Sequence, residues 1–99
     1  MSCLLRTSVE FMGPFEFDFG VANTEVTLAA PATVASLLQA LAARWPAAER
    51  LLSALSDSAT RRCYVCVSVD YTQLAPDAVL DTPLHDGARV CFGMPMVGG

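Results

Sequence analysis

Between Thr33 and Pro46 the apolar residues Val34, Leu37, Leu38, Leu41 and Trp45 fall at i, i+3, i+4, i+7 and i+11. That spacing lines one face of an α-helix. Thr33 is a natural N-cap, and Pro46 cannot continue the pattern. Nothing else in the chain shows so long a helical period. Leu51, Leu52 and Leu55 suggest only a second short helical turn. A helix with a single apolar stripe must bury it against something, and the flanking segments supply a sheet.

Those segments alternate. From Cys3 to Phe11, Leu5, Thr7, Val9 and Phe11 share one face and Arg6, Ser8 and Glu10 the other. Met12-Gly13-Pro14 is a turn signal. Phe15-Glu16-Phe17-Asp18-Phe19 alternates again, with three rings on one side, and predicts the second strand of a hairpin. Gly20 and Asn23 mark a bend before Glu25 to Leu28, a continuation or a further short strand. Ser56 to Arg62 is polar and aperiodic, a loop. Cys63 to Asp70 is rich in β-formers and predicts a central strand. Tyr71 to His85 is a long connection with room for a short edge strand or a 3₁₀ turn. Asp86-Gly87 makes the last turn and Ala88 to Met94 the last strand. The predicted architecture is α+β, a mixed sheet with one main helix across one face.

Ninety-nine residues, 54% apolar and 16% charged, make one small domain and leave no room for a second. A charged share this far below the usual ~25% implies a fairly apolar surface. The net charge of −4 argues against direct nucleic-acid binding, which needs a basic stripe. Six Arg and no Lys are present, so the protein offers no side-chain amine for chains built on itself. No apolar run approaches the ~20 residues of a membrane span, and the N-terminus lacks a signal peptide's basic start. The expectation is a cytoplasmic monomer with Cys3, Cys63, Cys66 and Cys91 reduced. Cys63 and Cys66 form a CxxC, but three residues apart on a strand their sulfurs face opposite sides of the sheet. With His85 the sole histidine, and placed beside a turn, neither a metal site nor a catalytic group is expected.

The chain ends Met94-Pro95-Met96-Val97-Gly98-Gly99, straight after the last predicted strand. Two glycines have no side chains and wide backbone freedom, so such a tail threads a narrow slot. The bland alternative is a frayed terminus. The expected division is a domain over 1–94 and a flexible diglycine tail over 95–99.

Taken together, Val9-Glu10-Phe11-Met12-Gly13, Phe19-Gly20, Glu25-Val26-Thr27-Leu28, the strand from Arg61 to Asp70 with Leu74 beyond it, Asp86-Gly87 with Phe92, and the terminal diglycine resemble the ubiquitin-like β-grasp sulfur carriers. The match is greatest to the ubiquitin-related modifier that donates sulfur to transfer RNA. The tail departs from that branch, lacking its Ser/Thr-rich approach and its His. Pro95 brings it nearer the small subunit of molybdopterin synthase. The resemblance implies that an activating enzyme of the ubiquitin-activating type uses MgATP to adenylate Gly99, and that a persulfide then leaves a thiocarboxylate. The carrier itself binds no cofactor and is a cosubstrate, not an enzyme. The implied partners are that adenylating and sulfur-transferring enzyme, then a tRNA-thiolating enzyme or protein lysines. The expected docking surface is the apolar sheet face beside the tail, with Phe92, Met94, Met96 and Val97, and Tyr64 or Cys66 as further candidates. For Phe92 core packing is the favoured use, and for Met94 and Met96 the interface. Two other readings stay open: a dedicated molybdopterin synthase subunit, and an interaction domain whose diglycine is incidental.

Overall fold

A computed structural model describes residues 3–56, 66–75 and 78–93. Strand β1 (Leu4–Phe11) buries Thr7, Val9 and Phe11 as its alternation predicts. It pairs antiparallel with β2 (Asn23–Ala29), Thr7 opposite Val26, and parallel with β7 (Ala88–Gly93), Val9 opposite Val90. On the far side of β7 lies β4 (Cys66–Val69), antiparallel, followed by the two-residue β5 (Thr72–Gln73). The order is β2-β1-β7-β4-β5. The strand at the centre is therefore β7, not the Cys63–Asp70 segment expected there; Cys63 itself lies outside the described residues. A parallel pairing with β1 is what draws the last strand into the middle, and local sequence does not encode it. The connection from Tyr71 to His85 contributes β5 and also β6 (Pro83–Leu84), which pairs with β3 (Ala32–Thr33) in a second small sheet.

The expected strand at Phe15–Phe19 is a helix, α1 (Pro14–Phe19). Alternating phenylalanines at i, i+2 and i+4 also contain an i, i+4 pair, the helical spacing. Phe15 and Phe19 are buried while Phe17 is 90% exposed. Pro in the first turn costs a helix nothing, and Gly20 closes it in the left-handed conformation at φ 74°, its N–H donating to Glu16 O at 2.9 Å. The reward is tertiary, since the Phe19 ring stacks on Phe11 with centroids 4.0 Å apart.

Helix α2 (Val34–Ala42) starts as predicted. Ser36 N donates to Thr33 Oγ1 at 3.3 Å and Thr33 N to Ser36 Oγ at 3.2 Å, a reciprocal cap. Val34, Leu37, Leu38 and Leu41 are fully buried. Trp45 is not on this helix. It sits in the turn beyond, packed against Phe19 at 6.0 Å with the Arg44 guanidinium over its ring at 4.5 Å. Pro46 both ends one helix and opens the next, α3 (Pro46–Ser56), which is longer than the single turn expected. Ala47, Ala48, Leu51 and Leu55 of α3 are buried. The two helices cover the face of the sheet that carries Thr7, Val9, Val67, Ala88, Val90 and Phe92.

Candidate functional site

Strand β7 ends at Gly93. There Met12 N donates to Phe92 O at 2.9 Å, and Gly93 lies opposite Cys66. Side chains alternate along β7, so Phe92 points into the core while Arg89, Cys91 and Gly93 face the open side. Phe92 is 0% exposed and its ring lies 6.1 Å from that of Phe11. Its place on a docking surface is thus corrected to the core, the use favoured for it from the sequence: it packs between the sheet and the helices. Met94, Met96, Val97, Gly98 and Gly99, with Tyr64, lie outside the described residues.

The open face is not uniformly apolar as expected. β1 and β2 place Arg6, Ser8, Glu10, Glu25 and Thr27 there, because their other alternate residues are taken by the core. The softer part is confined to one corner, a shallow depression of about 160 Å³ lined by Met12, Cys66, Ser68, Gln73, Cys91 and Gly93. Met12, 57% exposed, enters the sequence analysis only through a turn signal and the Val9–Gly13 motif, not as a docking residue. It has the adaptable, polarisable side chain suited to a docking edge. The signal was its place one residue beyond the inward-facing Phe11, which puts it on the open face.

Burial pushes the Cys91 thiol up from its ordinary range, and it donates to Glu10 Oε2 at 3.6 Å. Cys66 Sγ accepts from Gln73 Nε2 at 3.5 Å. Among the described residues no three His, Cys, Asp or Glu side chains come together as a metal site.

His85 lies at the opposite end of the sheet from Gly93, in the turn that begins β7. Its Nε2 meets Asp70 Oδ2 at 2.5 Å and its Nδ1 meets Asp86 O at 2.8 Å. A carbonyl only accepts and a carboxylate accepts, so the imidazolium is the form that satisfies both. The Asp70 hydrogen bond accordingly raises the His85 pKa above 6.5, and the same bond lowers that of Asp70 below 3.8. Asp70 Oδ1 also accepts from Arg89 N at 3.0 Å. This is a structural latch between two turns, and both partners are well exposed.

An antiparallel β1–β2 pair, a helical crossover over one face, and a parallel return strand at the centre define the ubiquitin-like β-grasp. Solved structures bear this out. The chain superposes on the HVO 2177 protein of Haloferax volcanii with a TM-score of 0.74 at 21% identity, covering 97% of this chain and 88% of that one. For SAMP1 of the same organism the values are 0.70, 20%, 95% and 99%. For a putative molybdopterin converting factor, subunit 1, of Pyrococcus furiosus they are 0.69, 21%, 93% and 99%. At these identities the likeness is one of fold, and it falls on the same group of small β-grasp proteins that the sequence resembles. No family model and no curated relative matches the sequence.

Proposed function

We propose that the chain is a sulfur carrier and ubiquitin-like modifier whose Gly99 carboxylate is adenylated and then converted to a thiocarboxylate. The observation that carries the reading is Gly98-Gly99, five residues after a β-grasp return strand that ends at Gly93. A C-terminal carboxylate has a pKa of about 3.3–3.7, so it is ionised and a poor electrophile until activated. An activating enzyme would supply MgATP, and the outer sulfur of an enzyme persulfide would displace AMP to form the C-terminal C–S bond. A second enzyme thiol would cleave the resulting S–S bond, releasing the thiocarboxylate and leaving an enzyme disulfide. Met12 and the thiol-lined corner beside Gly93 would meet that enzyme first, Phe92 supporting them from beneath.

The sulfur acceptor in this reading is the wobble uridine of transfer RNA, reached through a separate thiolating enzyme in the cytoplasm. Protein lysines are the acceptors in the modifier role. Because the chain has no Lys, adducts on a target would be single modifiers unless joined through the N-terminal amine. A second reading, the small subunit of molybdopterin synthase, is favoured by Pro95 in the tail and by the fold shared with the putative converting factor.

Intact-mass analysis after co-expression with the activating enzyme tests the core of the proposal. One oxygen replaced by sulfur is expected, with fragmentation placing it on Gly99 as the terminal residue. An unchanged mass, or sulfur located on a cysteine, refutes it. Loss of thiolated wobble uridine on deleting the protein separates the first acceptor from the second, for which molybdenum-cofactor activity is lost instead.

A further inference from the structure

Strand β2 is seven residues long and lies at one edge of the sheet, with no strand beyond it among the described residues. The hydrogen-bond phase of its pairing with β1 can be read from both ends. Phe11 N donates to Ala22 O at 2.8 Å and Ala30 N to Cys3 O at 2.8 Å. Bonded pairs alternate along an antiparallel ladder, so Thr24, Val26 and Leu28 spend their backbone groups on β1. The other edge of β1 confirms the phase, since Gly87 N donates to Arg6 O and Met12 N to Phe92 O. It follows that the N–H and C=O groups of Asn23, Glu25, Thr27 and Ala29 all point away from β1, in the plane of the sheet.

Such a row is a template for another strand, and proteins normally blunt it with Pro, Lys or a bulge. β2 has none of the three: its sequence is Asn-Thr-Glu-Val-Thr-Leu-Ala in unbroken register. The opposite edge, β5, is only two residues long. On the open face the β2 side chains border a depression of about 460 Å³ lined by Ser8, Glu10, Asn23, Glu25 and Arg89. Arg89 answers Glu10 at 3.7 Å, which leaves Glu25 exposed and without an ion pair among the described residues. On the helix-covered face the neighbours are Thr24 and Val26, both half-buried.

We infer that β2 takes up an extended peptide segment of a partner protein as a further antiparallel strand, with a basic side chain of the segment opposite Glu25 and β-branched residues on either side of it beside Thr24 and Val26. Backbone pairing supplies the affinity, and the Glu25 charge together with the alternating pockets supplies the selection. A second copy of this chain is the poorer occupant, because each copy carries a net charge of −4. The surface lies two strands from β7 and does not depend on the sulfur-carrier reading.

The test is amide exchange and chemical-shift mapping of the full chain by NMR, titrated with the blocked pentapeptide Thr-Val-Arg-Val-Thr. In the free protein the amides of Glu25 and Thr27 should exchange fast and those of Thr24 and Val26 slowly. Peptide should slow Glu25 and Thr27 selectively. Glu25→Arg should weaken binding roughly tenfold, a reversal of one cross-strand charge pair. Thr27→Pro should abolish binding while leaving the fold intact, because it removes only an outward-facing N–H. Three outcomes overturn the inference: shifts that map elsewhere than β2, equal binding of the peptide with Glu in place of Arg, or protection of Glu25 and Thr27 that rises with protein concentration in the absence of peptide.

Discussion

Thr7 is 1% exposed, and its hydroxyl Oγ1 has no hydrogen-bond partner within the described structure. It stands on the core face of β1, flanked by Val26 of β2 and Ala88 of β7. A buried hydroxyl left unpaired costs about 1–3 kcal/mol of desolvation. Thr7→Val keeps the shape, removes that cost and places a methyl group in an apolar site, with valine at least as good a strand residue. Allowing for a hydroxyl rotor that finds weak local contacts, the net stabilisation should be about 1–2 kcal/mol. In a domain of this size each kcal/mol moves Tm by roughly 4–8 °C, so a rise of at least ~4 °C is expected. Urea melts followed by the single Trp45 should show a higher midpoint at unchanged m. Thr7→Ser, which keeps the hydroxyl and deletes the methyl, should move the midpoint the other way. If Thr7→Val is neutral or destabilising, the hydroxyl has a partner and the reasoning fails.

Leu37→Ala should cost about 2–5 kcal/mol in the same melts, since Leu37 is fully buried under the sheet; a loss below half a kcal/mol would mean that α2 does not form the core. Phe19→Ala should cost about 3–5 kcal/mol whereas Phe17→Ala should fall within about 0.5 kcal/mol of the parent, and similar costs for the two would restore the strand reading of this segment. The His85–Asp70 latch predicts a pH dependence of defined sign. His85 has a raised pKa, so its contribution is present below 6.5 and lost as pH rises through the folded value; Asp70 has a lowered one, so its contribution is present above 3.8 and lost as pH falls. The latch is therefore complete between about pH 4 and 6.5. His85→Ala should flatten the stability profile on the alkaline side of that window, and an unchanged profile would show that the pair contributes nothing.

Much of the architecture is readable from local pattern. The inward stripe of β1, the Thr33 cap with the buried face of α2, and the turn at Asp86-Gly87 are each set by residues within a few positions of one another. Periodicity and capping are short-range physics, and a sequence displays them directly. The diglycine and the absence of Lys are likewise plain in the chain, and with them the chemistry proposed for Gly99.

What the chain could not settle alone depends on partners far away in sequence. Phe15, Phe17 and Phe19 suit a strand and a helix equally well, and the stack of Phe19 on Phe11 and the Gly20 cap decide for the helix. Phe92 is suited to a core or to an interface until β7 is seen to lie at the centre of the sheet beneath α2 and α3. The parallel β1–β7 pairing joins Thr7 to Ala88 across most of the chain, and with it Met12 comes to border the end of β7 and β2 is left as the exposed edge. Such long-range pairing is fixed by backbone hydrogen bonding and by the burial of the helix-covered face, summed over residues distant in the chain, a quantity that no local window of sequence contains.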